Sequence, residues 1–258
     1  SGEWVYYLFK YSSTYTLEAE DLDIEEIFMV GGGGAGGTTW NEYAGGGGGA
    51  GGVLKSETKY ENITGNIILS IGKGGQAYTE YPRGTDTRVN GGDTTLEFDG
   101  NKWTANGGGG GGGYVTDTTN GDDGNDGGSG GGGCFYGRGG DKAQTNDNGF
   151  TGYGNKGSDG NDRNSKSGGN GGGVNKNYLG VTYGQGGKAG TGFTTSIRKD
   201  TDPDTGSGGE GAIGTKDFAK NKDGQNSYWY SYRNICIPKS GANGIIIMKL
   251  SKEMKVFP

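Results

Sequence analysis

Glycine can be placed at every third position through nearly all the glycine-rich stretches of this chain, and no other feature restricts its fold as much. The register runs through Gly31, Gly34 and Gly37, through Gly45, Gly48 and Gly51, and through Gly107, Gly110 and Gly113. It continues through Gly121, Gly124, Gly127, Gly130 and Gly133, and more briefly through Gly154, Gly157, Gly160, then Gly184, Gly187, Gly190, then Gly208, Gly211, Gly214. Homopolymeric runs satisfy it trivially, so the mixed segments 121–133 and 154–160 carry the weight. A left-handed extended helix of the polyproline II type repeats every three residues and rises about 3.1 Å per residue, so such a stretch presents one stripe without Cβ atoms, against which another backbone packs.

Composition by itself argues for disorder: 64 of 258 residues are Gly and only 28% are hydrophobic, the signature of a low-complexity chain. Against it stand apolar ends and interspersed aromatics, 16 Tyr, 8 Phe and 4 Trp, which a solvated linker does not need. Ordering glycine costs more backbone entropy than ordering any other residue. The return must come from backbone hydrogen bonds between rods, with Cα–H to carbonyl contacts in support. With only 4 Pro the chain is not collagen-like, and an intramolecular bundle of about eight rods, each roughly 20 to 40 Å long, fits better. The linking segments then emerge at its two ends.

The non-glycine blocks read as strands. Trp4 to Phe9 is an apolar run; Tyr15, Leu17 and Ala19 alternate with polar neighbours; Ile27 to Val30 is a continuous apolar run feeding into Gly31, as expected of a buried strand. Val53 to Lys59 and Asn66 to Ile71 follow, then Thr94 to Phe98 and Lys102 to Ala105 joined by Asp99, Gly100 and Asn101 as a hairpin, and finally Ile245 to Leu250. The best helix candidate, Asp21 to Glu26, is short and acidic. The expected fold is mainly β with an irregular glycine-rich core: a small β-sandwich formed by both termini, stapling a bundle of polyglycine II helices. Residues 1–106 with 241–258 hold the sandwich and the first rods, and 107–240 the bundle with its displayed loops, the two forming one cooperative unit.

The order Thr14-Tyr15-Thr16-Leu17, then Ile24 to Val30 into Gly31 to Gly37, Gly45 to Val53, Ile67 to Gly75 and Asn90-Gly91-Gly92-Asp93-Thr94-Thr95, with Gly241-Ala242-Asn243-Gly244-Ile245-Ile246-Ile247 at the close, resembles the glycine-rich domains of bacteriophage tail fibres and related bacterial surface proteins. The resemblance covers about residues 14–113 and 241–250. It implies a noncatalytic structural or receptor-contacting module that packs polyglycine II rods and touches a host surface with its end loops. The long middle, 114–233, departs from it, with loops rich in Asn, Asp, Lys and Tyr.

A net charge of −6 disfavours nucleic acid and anionic membranes, since phosphate contacts need clustered Lys and Arg. The dense acidic run from Glu18 to Glu26 reads as a solvated edge that repels strand pairing, with cation binding as the other reading. No stretch approaches 18 consecutive apolar residues, so no membrane span is expected. No signal peptide is visible, although a chain starting at Ser1 could have lost one. Asn62-Ile63-Thr64 is a lone glycosylation sequon. Cys134 and Cys236 either form one disulfide closing a loop of about a hundred residues or stand as two buried thiols.

Catalytic constellations are mostly excluded by the absence of His, which removes Ser-His-Asp and Cys-His systems and His-containing zinc sites. Matches to G-x-G-x-x-G are inevitable here and none opens a helix after a strand; Gly187-Lys188 is followed by Ala189, so no P-loop occurs. No cofactor is expected. Asp122, Asp123 and Asp126, like Ser158 to Asp162, resemble pieces of calcium-binding repeats but lack the repeated apolar position, and solubilising turns are the better reading. Tyr228, Trp229, Tyr230 and Tyr232 with Arg233 form the best contact surface, because Tyr and Trp give large amphipathic area at low entropic cost; packing of alternate Tyr against the glycine lattice is the other reading. Tyr78, Tyr81, Tyr136, Tyr153, Tyr178 and Tyr183 read as loop aromatics. The function expected is attachment, by a phage tail or fibre-tip adhesin contacting a host-surface glycan or protein, on a virion or outside a cell. A structural subunit of an extracellular filament, pairing with copies of itself, is the alternative, and an ice-binding protein the third.

Overall fold

In a computed structural model, the protein joins one antiparallel β-sheet to a bundle of extended glycine rods. The structure describes residues 4–39, 44–78, 88–114, 121–161, 167–190, 204–212 and 238–251. The strands are β1 (Val5–Phe9), β2 (Thr14–Val30), β3 (Val53–Ser56), β4 (Tyr60–Ser70), β5 (Thr94–Phe98), β6 (Asn101–Ala105), β7 (Phe150–Tyr153), β8 (Lys176–Tyr178), β9 (Val181–Tyr183) and β10 (Ile245–Leu250). No helix occurs among the described residues.

Strand order in the main sheet is β1-β10-β2-β4-β5-β6, with β3 branching from β2 and β7 from β3. The first and last strands meet, β1 pairing with β10, Val5 opposite Leu250 and Phe9 opposite Ile246. The long strand β2 carries register shifts around Leu22, and bulges of this kind bend a strand and increase its twist. The sheet therefore folds over one core. Strands β6 and β7 are not paired with each other, yet Trp103 and Phe150 bring their rings to 5.3 Å within a cluster that also holds Ile27, Met29, Ile67, Leu96, Ile246 and Met248. The mainly β expectation holds, with both ends in one sandwich-like unit and no closed barrel.

Residues 21–26 form strand, not helix. Leu22 and Ile24 are buried while Asp21 is exposed and Asp23 and Glu25 are half-buried, and this period of two is what a half-buried strand requires. The hairpin after β5 turns on two residues, Asp99 (φ 49°) and Gly100 (φ 74°), the pair of left-handed positions that defines a type I′ turn; Asn101 is already in β6, opposite Phe98. Strands β7, β8 and β9 were not expected from sequence. The β8–β9 hairpin lies on the outer face of the sheet, where Tyr178 stacks on Phe28 with centroids 4.5 Å apart and Tyr183 meets the same ring edge-on. Tyr153 packs against that cluster too, under the Lys176 ammonium. Tyr153, Tyr178 and Tyr183 thus belong to packing and not to loops.

The glycine stretches form the bundle, in more rods than the eight expected. Rod 31–37 is the clearest. Its amides donate to antiparallel neighbours: Gly31, Gly34 and Gly37 to Gly52, Gly49 and Gly46; Gly32 and Ala35 to Gly92 and Val89; Gly33 and Gly36 to Ala242 and Lys239. Its carbonyls accept from parallel neighbours: Gly108 and Gly111, Gly75, and Gly209 and Ala212 donate to it. As the rod advances by three, its antiparallel partners step back by three and its parallel partners forward by three, which establishes the three-residue helix. Three antiparallel and three parallel neighbours close around it, so every residue, not each third one, faces backbone. Cβ atoms on Gly31, Gly34 and Gly37 would overlap the carbonyls of Asn106, Gly109 and Gly112, and those on Gly33 and Gly36 the carbonyls of Ser207 and Glu210.

Outer rods keep the looser rule. In 154–160, Gly154 and Gly157 are buried and the residues between them exposed; in 184–190 the buried glycines are Gly184, Gly187 and Gly190. The stretch 121–133 is two rods: the chain reverses at Gly128 and Ser129, so that Gly131 donates to Asn125 and Cys134 to Asp122. Gly121, Gly124 and Gly127 accordingly lie on one rod, Gly130 and Gly133 on the next, and a Cβ on Gly124 would strike Gly131 of its own hairpin. Where an outer amide has no rod beside it, a side chain substitutes. Asp123 and Asp126 accept from the amides of Arg138 and Asp141 at 2.6 Å each; Asn90 and Asp93 accept from Gly110 and Gly107 at 2.9 and 2.7 Å; Asp159 accepts from Gly139 at 2.8 Å. Such bonds, charge-assisted where the acceptor is an Asp, satisfy donors that would otherwise face the solvent boundary unpaired.

Candidate functional site

The connectivity of the rods decides where the connecting segments attach. Rod 31–39 leaves the sheet after β2 and rod 44–52 returns to β3; rod 71–78 leaves after β4 and 88–93 returns to β5; rod 106–114 leaves after β6 and 121–128 comes back beside it. Rods 154–161 and 167–173 repeat the pattern, as do 205–212 and 238–244, the last running into β10. The described ends of the connections 40–43, 79–87, 115–120, 162–166 and 213–237 therefore all lie at the end of the bundle away from the sheet. Segment 191–203 is different, since Gly190 is bonded to Gly45 at the far end while Thr205 accepts from Gly184 at the sheet end.

At the far end, the turn after rod 129–134 holds a buried Phe135 and presents Tyr136. Tyr136 is 47% exposed and has a left-handed backbone (φ 55°); its ring lies 4.6 Å from that of Phe135, which meets Tyr114 edge-on at 6.3 Å. Tyr78, at the tip of its rod, is also exposed. Thr38 and Thr39 are buried at the tip of the central rod, with neither side-chain hydroxyl hydrogen-bonded. Tyr81 and the predicted contact residues Tyr228, Trp229, Tyr230, Tyr232 and Arg233 lie outside the described residues, the latter on the connection between Ala212 and Pro238.

Cys134 is a free, fully buried thiol whose Sγ donates to the Ala44 carbonyl at 3.2 Å. Burial pushes its pKa up to about 12, because the thiolate would lose its hydration. Cys236 lies outside the described residues. Asp123 and Asp126 are engaged with backbone amides, and among the described residues no three acidic or thiol groups gather around a point that could hold a metal ion.

Another polar cluster sits at the sheet end. Glu26 accepts from the Tyr178 hydroxyl and pairs with Lys55 at 3.1 Å. Burial works to raise the Glu26 pKa, but the bonds from Tyr178 and Lys55 and the Lys55 and Lys249 charges outweigh it and hold it below the usual glutamate value; burial and the adjacent carboxylate push the Tyr178 phenol far up. This cluster ties the β8–β9 hairpin to the sheet. Sequence gave no signal for it, since Glu26 and Tyr178 are 152 residues apart.

No curated protein matches the sequence significantly. Residues 10–229 match the glycine-rich domain family, a span that takes in β2 and almost the whole bundle, and the chain belongs to that family.

Proposed function

We propose that the protein is a noncatalytic attachment module in which the rod bundle is a rigid stalk and the connections at its far end contact a surface, as expected of a phage tail or fibre-tip adhesin recognising a host-surface glycan or protein. The observation that carries this reading is the shared placement of the connection ends. Five connections, including the aromatic-rich one between Ala212 and Pro238, depart from and return to one end of a bundle whose rods are locked to one another by backbone hydrogen bonds. Binding residues concentrate on loops held by a rigid scaffold, and exposed Tyr and Trp supply most of the energy of many interfaces.

The test pairs binding with melting. Replacing Tyr228, Trp229, Tyr230 and Tyr232 by Ala should abolish binding to host cells or a glycan array while leaving the far-UV CD spectrum and Tm nearly unchanged. An unfolded variant, together with a wild type that binds neither cells nor glycans, defeats the reading and favours a structural filament subunit.

A further inference from the structure

In an Asn-Gly pair the asparagine side chain closes readily on the next backbone nitrogen, because the reaction is intramolecular and glycine puts no side chain in its way. The chain contains six such pairs, at Asn90, Asn106, Asn120, Asn148, Asn170 and Asn243, and all but Asn120 lie among the described residues. In four of those five the glycine amide is held. Gly91 donates to Gly108 at 2.9 Å, Gly107 to the Asp93 carboxylate at 2.7 Å, Gly171 to Gly187 at 2.9 Å and Gly244 to Gly72 at 2.8 Å. Three of these asparagines are held as well: the side-chain oxygens of Asn90, Asn170 and Asn243 accept from the amides of Gly110, Ala189 and Gly74.

The fifth pair is built differently. Asn148 and Gly149 are the central residues of the turn into β7, both exposed and both with left-handed backbones (φ 24° and 83°). The flanking residues exchange both of their bonds, Asp147 donating to Phe150 at 3.1 Å and Phe150 to Asp147 at 2.7 Å, and a two-residue turn of this kind uses neither central amide. The Gly149 amide has no acceptor among the described residues. The space beside it is open, since a Cβ on Gly149 would find nothing nearer than the Tyr60 hydroxyl at 3.5 Å. What fastens the turn is its carbonyls: that of Asn148 accepts from the Trp103 indole at 2.9 Å and that of Gly149 from the Glu57 amide at 3.0 Å. The Asn148 side chain donates to that of Asn101 at 3.2 Å on the surface.

We infer that Asn148 is a deamidation site, the first of these five asparagines to react in the folded protein, through a succinimide formed with Gly149. The Gly149 nitrogen bonds to the Asn148 Cγ, the Cγ–Nδ2 bond breaks, and ammonia leaves with the proton that the Gly149 amide gives up. Water then opens the ring at either carbonyl, leaving aspartate or isoaspartate at position 148. Ring closure requires the backbone to turn at the asparagine. At an exposed turn that is a local opening, whereas in the rods it breaks bonds that hold the bundle together. In the isoaspartate product the carbonyl that received the Trp103 indole becomes a carboxylate beside Asp147, and the main chain of the turn is lengthened, so the change acts directly on the contact between β6 and β7. The inference is independent of the attachment reading, which concerns the opposite end.

Peptide mapping of the full chain, held at pH 8 until the first of the five pairs reacts, tests it. Asn148 should lead Asn90, Asn106, Asn170 and Asn243 by about tenfold or more in rate. Isoaspartate and aspartate should both be found at residue 148, told apart by electron-transfer fragmentation. In urea, where the rods no longer protect the other pairs, the lead should shrink to within about threefold. Reaction of another of the five first or at a comparable rate, a lead for Asn148 that persists unchanged in urea, or aspartate without isoaspartate at residue 148 overturns the inference.

Discussion

A Cβ placed on Gly33 would overlap the carbonyl oxygen of Ser207, 174 positions later in the sequence, while the Gly33 amide donates to Ala242 on another side at 2.8 Å. The rod cannot move away from Ser207 without opening that bond. Gly33→Ala should therefore cost about 2–4 kcal/mol, combining overpacking with strained or broken backbone bonds. Lys73→Ala, at an exposed position of the adjacent outer rod, should stay within about 0.5 kcal/mol of wild type. Urea denaturation of both variants checks the contrast, and equal losses would refute it.

The carboxylates of the outer rods act as substitutes for missing neighbours. Asp126→Ala leaves the Asp141 amide without its acceptor and should destabilise by about 1–2 kcal/mol, less than an interior glycine substitution because water can replace part of the bond. Asp126→Asn keeps an acceptor oxygen and should recover most of the loss in the same melts. Equal effects of Ala and Asn would mean that the carboxylate acts by charge alone.

The Glu26 cluster makes stability depend on acidity. Its pKa is depressed in the folded protein relative to the ordinary value of 4.5, so its contribution is fully present above that value and is lost as pH falls through the lower folded value. Tyr178→Phe removes the hydroxyl that donates to Glu26 while keeping the stack on Phe28. It should lower stability at pH 7 by about 1–2 kcal/mol, with a smaller difference from wild type near pH 3. Denaturation curves at the two pH values measure this, and a gap that widens on acidification would contradict it.

How much of this was legible in the sequence varied with the range of the interactions. The strand at 27–30 and the hairpin at Asp99-Gly100-Asn101 announce themselves through local pattern, although the turn itself is only Asp99 and Gly100. The every-third-residue register was also visible, and holds on outer rods such as 154–160, where solvent takes the other two faces. It understates the interior rods, since in a run such as 31–37 a homopolymer conceals which glycines are required. The break at Gly128 and Ser129 was invisible because Gly-rich sequence reads alike through a rod and through a turn. Strands β7 to β9 are three or four residues long and gain their order from distant partners, Phe28 for Tyr178 and Tyr183, that no local window contains. The aromatic connection 213–237 was singled out by composition, but its placement at the far end followed only once the directions of rods 205–212 and 238–244 were known.

Cys134 should behave as an inert thiol. Buried, with its pKa pushed up to about 12, it should resist alkylation in the native protein at pH 8 and react as the bundle unfolds. Peptide mapping after iodoacetamide treatment, with and without urea, distinguishes this from an accessible site; modification at full rate without denaturant would show that the bundle opens readily around residue 134.

The most direct test is amide hydrogen exchange of the glycine runs, because their composition alone describes a disordered chain. Amides of Gly34, Gly48 and Gly132 donate to Gly49, Gly209 and Gly47 at 2.8 Å inside the bundle. They should exchange only through global unfolding, with protection factors of about 10⁴ or more, matching those of core strand β10. Exchange of these glycines within about tenfold of unstructured-peptide rates, while β10 remained protected, would contradict the rod bundle and leave the sheet as the only ordered part of the molecule.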